Sequence, residues 1–501
     1  MTSVTNRIRN YIALALILPL LAVSIRGAPR TLKITLLYDT AETADSAAVV
    51  WDTSIAADSL LQYSIINPVP AGAAQVYSAN QTTVHEVDLA GLTPGTVYFY
   101  KVTSCAKKGC VTASGSFETL PSCPDVVPPV SGSWQQALSQ NVAGVNNQLL
   151  GVDAVSANDV WAVGWAQDPT GPPYVKRTLI EHFNGSVWNI VPSPNKRSDT
   201  LSQLYSVSGT SANNVWAVGS SSDGQLPTRT LIQHWDGNAW STVASPSPDT
   251  QFNELRGVAA ISAQDAWAVG YRGGTQNATP IETFILHWDG VSWNQVTSPN
   301  VPGANQLFGI AAISAGDIWA VGSVSGAPLA LHWNGSAWSI VSVGVGSGLS
   351  SESFAAVTGS SANDVWAVGK GNGIFTNQVF ATIRHWDGSH WTEKLCRAAS
   401  ASNPPEGYEG GGPNKYFTGV SAAASNDVWA VGVAGSGPMI LHWDGQAWTE
   451  VTHPRAFPNA ASLYAVTTLT GGSAWSVGIE IEVSPSGSTS PSFTLIDHYT
   501  P

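Results

Sequence analysis

Residues 156–164 read SANDVWAVG, residues 211–219 SANNVWAVG and residues 361–369 SANDVWAVG. Aligned on the Trp of this phrase, the chain repeats itself at Trp161, Trp216, Trp267, Trp319, Trp366, Trp429 and, as WSVG, at Trp475. Twelve residues before each stands Leu149, Leu204, Leu255, Leu307, Phe354, Phe417 or Leu463. A second phrase follows each: His182-Phe183, His234-Trp235, His287-Trp288, His332-Trp333, His385-Trp386, His442-Trp443 and His498-Tyr499. In the first six units Asp-Gly or Asn-Gly comes next, and a further Trp falls six residues after the His.

Each unit holds four strand-sized pieces. Strand a resembles LYSVSGTS, a tight turn leads to strand b (VWAVG), and a variable loop leads to strand c (TLIQHW). Asp-Gly then reads as a two-residue hairpin turn, because both residues tolerate positive φ, before strand d (AWSTVASP). Four antiparallel strands recurring at roughly fifty-residue intervals predict a β-propeller. The period-two patterning excludes stacked helices.

Seven a–b pairs are present, but the chain stops after strand c of the seventh. The missing strand d is written at the other end, as GSWQQALSQN (132–141). Trp134 precedes Leu149 by 15 residues, as Trp240 precedes Leu255 and Trp448 precedes Leu463. The expectation is a ring of seven blades, closed by an N-terminal outer strand that removes an exposed sheet edge. Nineteen of the 21 Trp residues sit at repeat positions, the exceptions being Trp51 and Trp165. Their fixed register within strands predicts wedges between blades, each burying roughly 150–250 Å², rather than sugar-stacking platforms.

The rest of the chain reads as a second, smaller unit. Arg7 and Arg9 precede an apolar run from Ile12 to Ile25. Such a run is too short to span a bilayer comfortably, so residues 1–28 are expected to be a signal peptide or N-terminal anchor. Residues 29–121 alternate in short strands, SAAVVWDT and LLQYSI being two of them, and PSCPDVVPPVSGS (121–133) contains a Pro-rich linker, set at 122–131. The propeller is assigned 132–501. Cys105 and Cys110 face each other if KVTSC and CVTAS pair as a hairpin, which suits a disulfide in an exported protein. The pairing of Cys123 and Cys396 stays open.

The phrase LAGLTPGTVYFYKVTS (89–104) resembles the E–F corner and F strand of a fibronectin type III domain. The resemblance implies Leu92 as core plug, Tyr98 as tyrosine-corner residue and Trp51 as the buried core Trp. Similar modules precede the metallophosphatase domain of purple acid phosphatases. The Asp/His/Asn metal motifs of those enzymes are absent downstream, so no activity carries over. The repeat resembles those of exported bacterial β-propeller proteins of unknown role, and more loosely kelch and Asp-box propellers. That likeness implies fold only. The expected fold class is all-β, a fibronectin type III-like sandwich followed by a seven-bladed propeller.

A net charge of −13, with no Lys/Arg run longer than two, argues against nucleic acid as partner. One His per blade cannot converge on a single ion; no metal and no cofactor is expected. The Asp or Asn of the a–b turn (Asp159, Asn214, Asp265, Asp317, Asp364, Asp427) is expected to cap its own turn, with the same-blade His as a second partner. The seventh blade, with Ser473, should lack that bond. Strand a supplies only Arg256 and Asp153 as charged candidates for the axis, and no catalytic residue is assigned.

The b–c and d–a loops vary in length and share one face. Variable loops on a rigid scaffold are where binding sites usually develop. The binding candidates on that face are Trp165, Tyr174, Tyr271 and Tyr408. The sequence therefore points to a noncatalytic binding or scaffold protein, outside the cell or on its surface and monomeric, with a protein or polysaccharide ligand. A lectin and a glycan hydrolase or lyase with an axial site are the alternatives. No membrane span is expected unless the N-terminal segment is retained.

Overall fold

The structure is a computed structural model. It describes residues 31–501 apart from 42–44, 108, 120–131, 171, 173–174, 226, 275–279, 347–348, 374–378, 395–414, 436, 452, 454–459 and 484–488. The N-terminal segment, the linker, Tyr174, Tyr408, Cys123 and Cys396 therefore lie outside the described residues. Those described form strands and turns, without helix.

The first unit has five strands: β1 (Ile34–Ala41), β2 (Ser46–Ser64), β3 (Ala74–Ala90), β4 (Val97–Ala106) and β5 (Gly109–Glu118). SAAVVWDT and LLQYSI, read from sequence as separate strands, are one continuous β2. No Gly, Pro or Asn interrupts Ser54–Asp58, so the backbone bends instead through register shifts between Asp52 and Ser59. The first part of β2 pairs with β1 and with the end of β3; its last part pairs with the start of β3 and with β4, which pairs β5. Two layers result, closed over Trp51, Leu61, Tyr100, Val102 and Phe117. Leu92 is buried, and the Thr93 N–H donates to the Tyr98 hydroxyl at 2.9 Å, which fixes the corner before β4. Trp51 is fully buried, stacked on His85 and donating to Ser104 Oγ at 2.8 Å. Cys105 and Cys110 are opposite in the β4–β5 register and disulfide-bonded.

From residue 133 the chain builds seven four-stranded antiparallel blades. Blade 1 is Asn147–Ser156, Asp159–Gln167, Lys176–Phe183 and Trp188–Ile190, in the order a-b-c-d, and five further blades follow the same order. Blade 7 has strands Ala461–Thr468, Ala474–Val483 and Thr489–Thr500, and its outer strand is β6 (Ser133–Gln136). β6 pairs Trp134 with Tyr499 and Gln136 with Asp497.

One aromatic triad recurs at every seam. Trp161 lies 5.0 Å from Trp235 and 5.3 Å, edge-on, from Trp240 of the next blade. Trp216, Trp267, Trp319 and Trp366 repeat this geometry. Trp429 meets Tyr499 and the N-terminal Trp134, and Trp475 meets Phe183 and Trp188 of blade 1, so the ring is closed. The WAVG Trp residues are no more than 3% exposed, as wedges should be. The glycine of the same phrase has its own reason. A Cβ on Gly164 would lie 1.9 Å from the Gln148 carbonyl oxygen, and the other six blades repeat the clash within 0.2 Å. Only Gly lets strand b pass under the bulge in strand a.

The His–Asp pair is present in six blades. His182, His287, His332, His385 and His442 place Nε2 2.7–2.9 Å from Asp159, Asp265, Asp317, Asp364 and Asp427. His234 does the same with Asn214. Each His also packs on its blade's WAVG Trp. The turn itself is capped differently from the expectation: Ser156, Ser262 and Ser314 hydroxyls accept the turn N–H, freeing the Asp for its His. Blade 7 has a longer Leu469–Ser473 connection, and there His498 stacks on Trp475. Asn214 shows that the bond needs no charge. Asp265→Asn should therefore leave the melting temperature nearly unchanged, while Asp265→Ala should cost about 1–3 kcal/mol in chemical denaturation.

The c–d turn also differs from its sequence reading. Only its glycine has positive φ, +88° to +97° across six blades. The Asp or Asn precedes the turn, and its Oδ1 accepts two backbone N–H groups, as Asp236 does from Asn238 and Ala239. The turn is centred on Gly and the residue after it, so Asp need not leave its ordinary backbone region.

Blade 1 is fastened to the closing segment by a buried carboxyl. Glu181 accepts from Ser139 Oγ at 3.0 Å and from the Gln140 N–H at 3.2 Å, both just after β6; Ser139 also bonds Thr494 of blade 7. Burial pushes the Glu181 pKa up to about 7, although these bonds lower it. Because the folded value exceeds the unfolded one, the fold takes up the proton. The stabilisation is full below the ordinary carboxyl range and fades as pH rises through 7. Stability should thus fall on the order of 3 kcal/mol between about pH 4.5 and 7.5, and Glu181→Gln should flatten that part of the Tm–pH curve.

Candidate functional site

The seven a strands surround the propeller axis. Directly after the buried Leu or Phe, each turns one half-buried residue into a central cavity of about 140 Å³: Leu150, Tyr205, Arg256, Phe308, Ala355, Thr418 and Tyr464. The next position is Gly151, Ser206, Gly257, Gly309, Ala356, Gly419 or Ala465. Small residues are required here because neighbouring strands nearly touch. A Cβ on Gly151, Gly309 or Gly419 would lie 2.8–2.9 Å from the next blade's Cα. Below this throat Val152, Val207, Val258, Val357, Val420 and Val466 are buried. The axis is therefore a cup with a narrow floor. Strand a begins at the d–a connection, so the cup opens on the variable-loop face.

One side of the cup is held by a fixed polar network, of which Tyr205 and Arg256 line the cavity while Glu254 and Tyr271 stand behind them. Arg256 Nη2 donates to Glu254 Oε2 at 2.8 Å and to the Tyr271 hydroxyl at 3.1 Å. Tyr271 in turn donates to Glu254 at 2.9 Å. The Arg256 guanidinium lies 3.9 Å over the Tyr205 ring, a stacked cation–π geometry, and Tyr271 packs edge-on against Phe308. Burial raises the Tyr271 pKa to about 12 and raises Tyr205 as well; burial lowers the Arg256 pKa, but contact with Tyr205, Tyr271 and Glu254 more than offsets it. Both phenols are neutral and Arg256 is charged near neutral pH. Across the cup Tyr464 is likewise raised by burial, and Lys370 Nζ stands 5.8 Å over the Tyr416 ring.

Of the sequence candidates, Tyr271 joins this network. Trp165 does not: it is half-buried under Lys176, whose Nζ is 3.7 Å from the ring centroid. Glu254, Tyr205, Phe308 and Tyr464 were missed; Arg256, one of the two charged strand-a residues expected near the axis, lines the cavity. A signal for them exists. Tyr205, Phe308 and Tyr464 fall at the position after the repeat's Leu or Phe, which is variable within an otherwise uniform strand, and Glu254 falls at the position before it.

Asp153, the other charged residue on strand a, serves the scaffold. Its Oδ2 accepts the Gly209 N–H of blade 2 at 2.8 Å, and Thr467 of blade 7 bonds it too. Ser208, Thr358 and Ser421 at the same register accept the equivalent N–H of the following blade. Burial raises the Asp153 pKa to about 6. Among the described residues, no group of three or more His, Cys, Asp or Glu side chains is placed to hold a metal.

Fold and cup define an all-β protein in which a β-sandwich precedes a seven-bladed propeller with a cavity on its axis. Residues 32–119 match the model of the purple acid phosphatase N-terminal domain. No curated protein matches the sequence. Among solved structures the chain is similar to apo AztD from Citrobacter koseri, at 9% identity and a TM-score of 0.33, over 89% of this chain and 99% of that one. It is similar to an ulvan lyase, a polysaccharide lyase, at 8% identity and a TM-score of 0.28, over 76% and 87%. A puromycin-hydrolysing peptidase of Mycobacterium tuberculosis gives 10% and 0.32, over 66% and 57%.

Proposed function

We propose that this is an exported, noncatalytic binding protein whose ligand enters the axial cup on the variable-loop face, the sandwich acting as a fibronectin type III-like spacer. The observation that carries the reading is the Tyr205–Arg256–Glu254–Tyr271 network. It holds four functional groups rigid at the mouth of a repeat whose other contacts serve the scaffold. Pre-set polar groups beside half-exposed aromatic rings are the usual make-up of a ligand pocket. The noncatalytic reading is favoured because the cup's tyrosines are held protonated and its one described carboxylate is already bonded to Arg256 and Tyr271. General acid–base work needs a group poised near the working pH.

The test is a screen of the full chain against glycans, polysaccharides and envelope proteins, with Arg256→Ala beside it. Arg256→Ala should weaken binding at least about tenfold. Full binding by the variant, or turnover of a glycan by the wild type, would contradict the proposal.

A further inference from the structure

We infer, resting on the reading that the axial cup is the binding site, that its occupant is the terminal, uncharged pyranose of a glycan, entering end-on. The floor dictates the end-on geometry. The inner strands stand close together, a Cβ on Gly151, Gly309 or Gly419 meeting the next blade's Cα at 2.8–2.9 Å, and the deepest residues lining the cavity, among them Val152, Val357 and Val466, are buried, which favours entry by the chain end over passage of a polymer. The volume of about 140 Å³ holds on the order of ten water molecules, which suits one sugar ring.

The wall dictates the chemistry. Arg256 and Glu254 are bonded to each other, so their charges largely cancel and an anionic group gains little there. Glu254 and the Tyr271 hydroxyl fix the guanidinium from behind, and Arg256 is the member of the three that lines the cavity, beside Tyr205. Arg256 Nε is buried without a hydrogen-bond partner among the described residues. A pyranose hydroxyl accepts from such a donor, and its neighbours reach the Tyr205 and Tyr464 side chains that line the same cavity. Half-buried Phe308 and Tyr464 offer apolar faces to the C–H side of the ring. A peptide end would instead bring a charged amine or carboxylate, which this neutralised pair does not reward. The site is single, since only blade 3 carries the Arg–Glu pair in these positions.

The experiment is saturation-transfer NMR and calorimetry on the full chain with methyl pyranosides of glucose, galactose, mannose and rhamnose, and with methyl glucuronide. Two blocking variants, Ala355→Trp and Thr418→Trp, fill the cup without removing the network; each is used only if its Tm is near wild type. Arg256→Lys, which keeps charge but loses the fork, is the third variant. The inference expects at least one neutral pyranoside to bind with one-to-one stoichiometry, and to lose about tenfold or more in a blocking variant and in Arg256→Lys. Glucuronide binding tenfold tighter than every neutral sugar would overturn it. So would the absence of pyranoside binding. If a protein partner from the screen then lost binding in Ala355→Trp, the cup would stand as the binding site and only the sugar would fall. If the blocking variants left every ligand's binding intact, the cup itself would be refuted.

Discussion

Trp134→Ala is expected to destabilise the propeller by about 3–5 kcal/mol and to open it at one place. Trp134 is 1% exposed, wedged against Trp429 and Tyr499. The strand that carries it, β6, has only four register partners, from Ser133–Thr500 to Gln136–Asp497. Losing the wedge removes the strand's one large buried side chain and leaves the four ladder pairs and the Ser139 and Gln140 bonds to Glu181 to hold it. Blade 7 would then present a bare edge, which invites pairing with other copies. Denaturant unfolding should show the lower midpoint, and limited proteolysis should cut near residues 132–141 before the rest. The equivalent change inside a blade, Trp240→Ala, should lower stability without that local cut. Equal cleavage in both variants would contradict closure by the N-terminal strand.

Arg384→Leu should be as damaging for a different reason. In blade 5, Arg384 Nη2 meets Glu352 Oε2 at 2.9 Å and its Nη1 lies 4.0 Å from Glu393, all three side chains being at most 5% exposed. Removing the cation strands two buried carboxylates, a loss of about 3–5 kcal/mol. Blades 3, 4 and 6 fill the arginine position without charge. Leu286, Leu331 and Leu441 replace the arginine, and Asn147, Asn253 and Asn305 stand where Glu352 does. The triple variant Arg384→Leu, Glu352→Asn, Glu393→Gln should therefore recover most of the stability, measured by the same denaturation midpoint. A triple variant no better than the single one would show that the triad contributes more than mutual neutralisation.

The propeller was legible in the sequence because each blade needs the same wedge and the same glycine, written seven times, and six of them the same bond from His to the Asp or Asn of the a–b turn. The closing strand was legible from one interval, Trp134 to Leu149. The c–d turn was misplaced by one residue because Asp-Gly fits two turn registers, and the side-chain bonds that choose between them leave no mark in the sequence. β2 was split because a bulged bend lacks the Gly and Pro that punctuate turns. The site was half legible. Tyr271 stood out as an aromatic at a strand end, and so did Trp165, but only the structure shows Lys176 over the second. Glu254 and Tyr205 look like scatter in a repeat until the ring places them around one axis.

The account turns on where a ligand sits, and hydroxyl-radical footprinting reads that directly. The full chain would be oxidised with and without the tightest-binding glycan of the screen. Protection of Tyr205, Phe308 and Tyr464, with Trp235, Trp288 and Trp443 on the constant-turn face unchanged, is the predicted result. Protection of those tryptophans or of the sandwich's exposed Tyr77, with the cup aromatics oxidised as before, would contradict it.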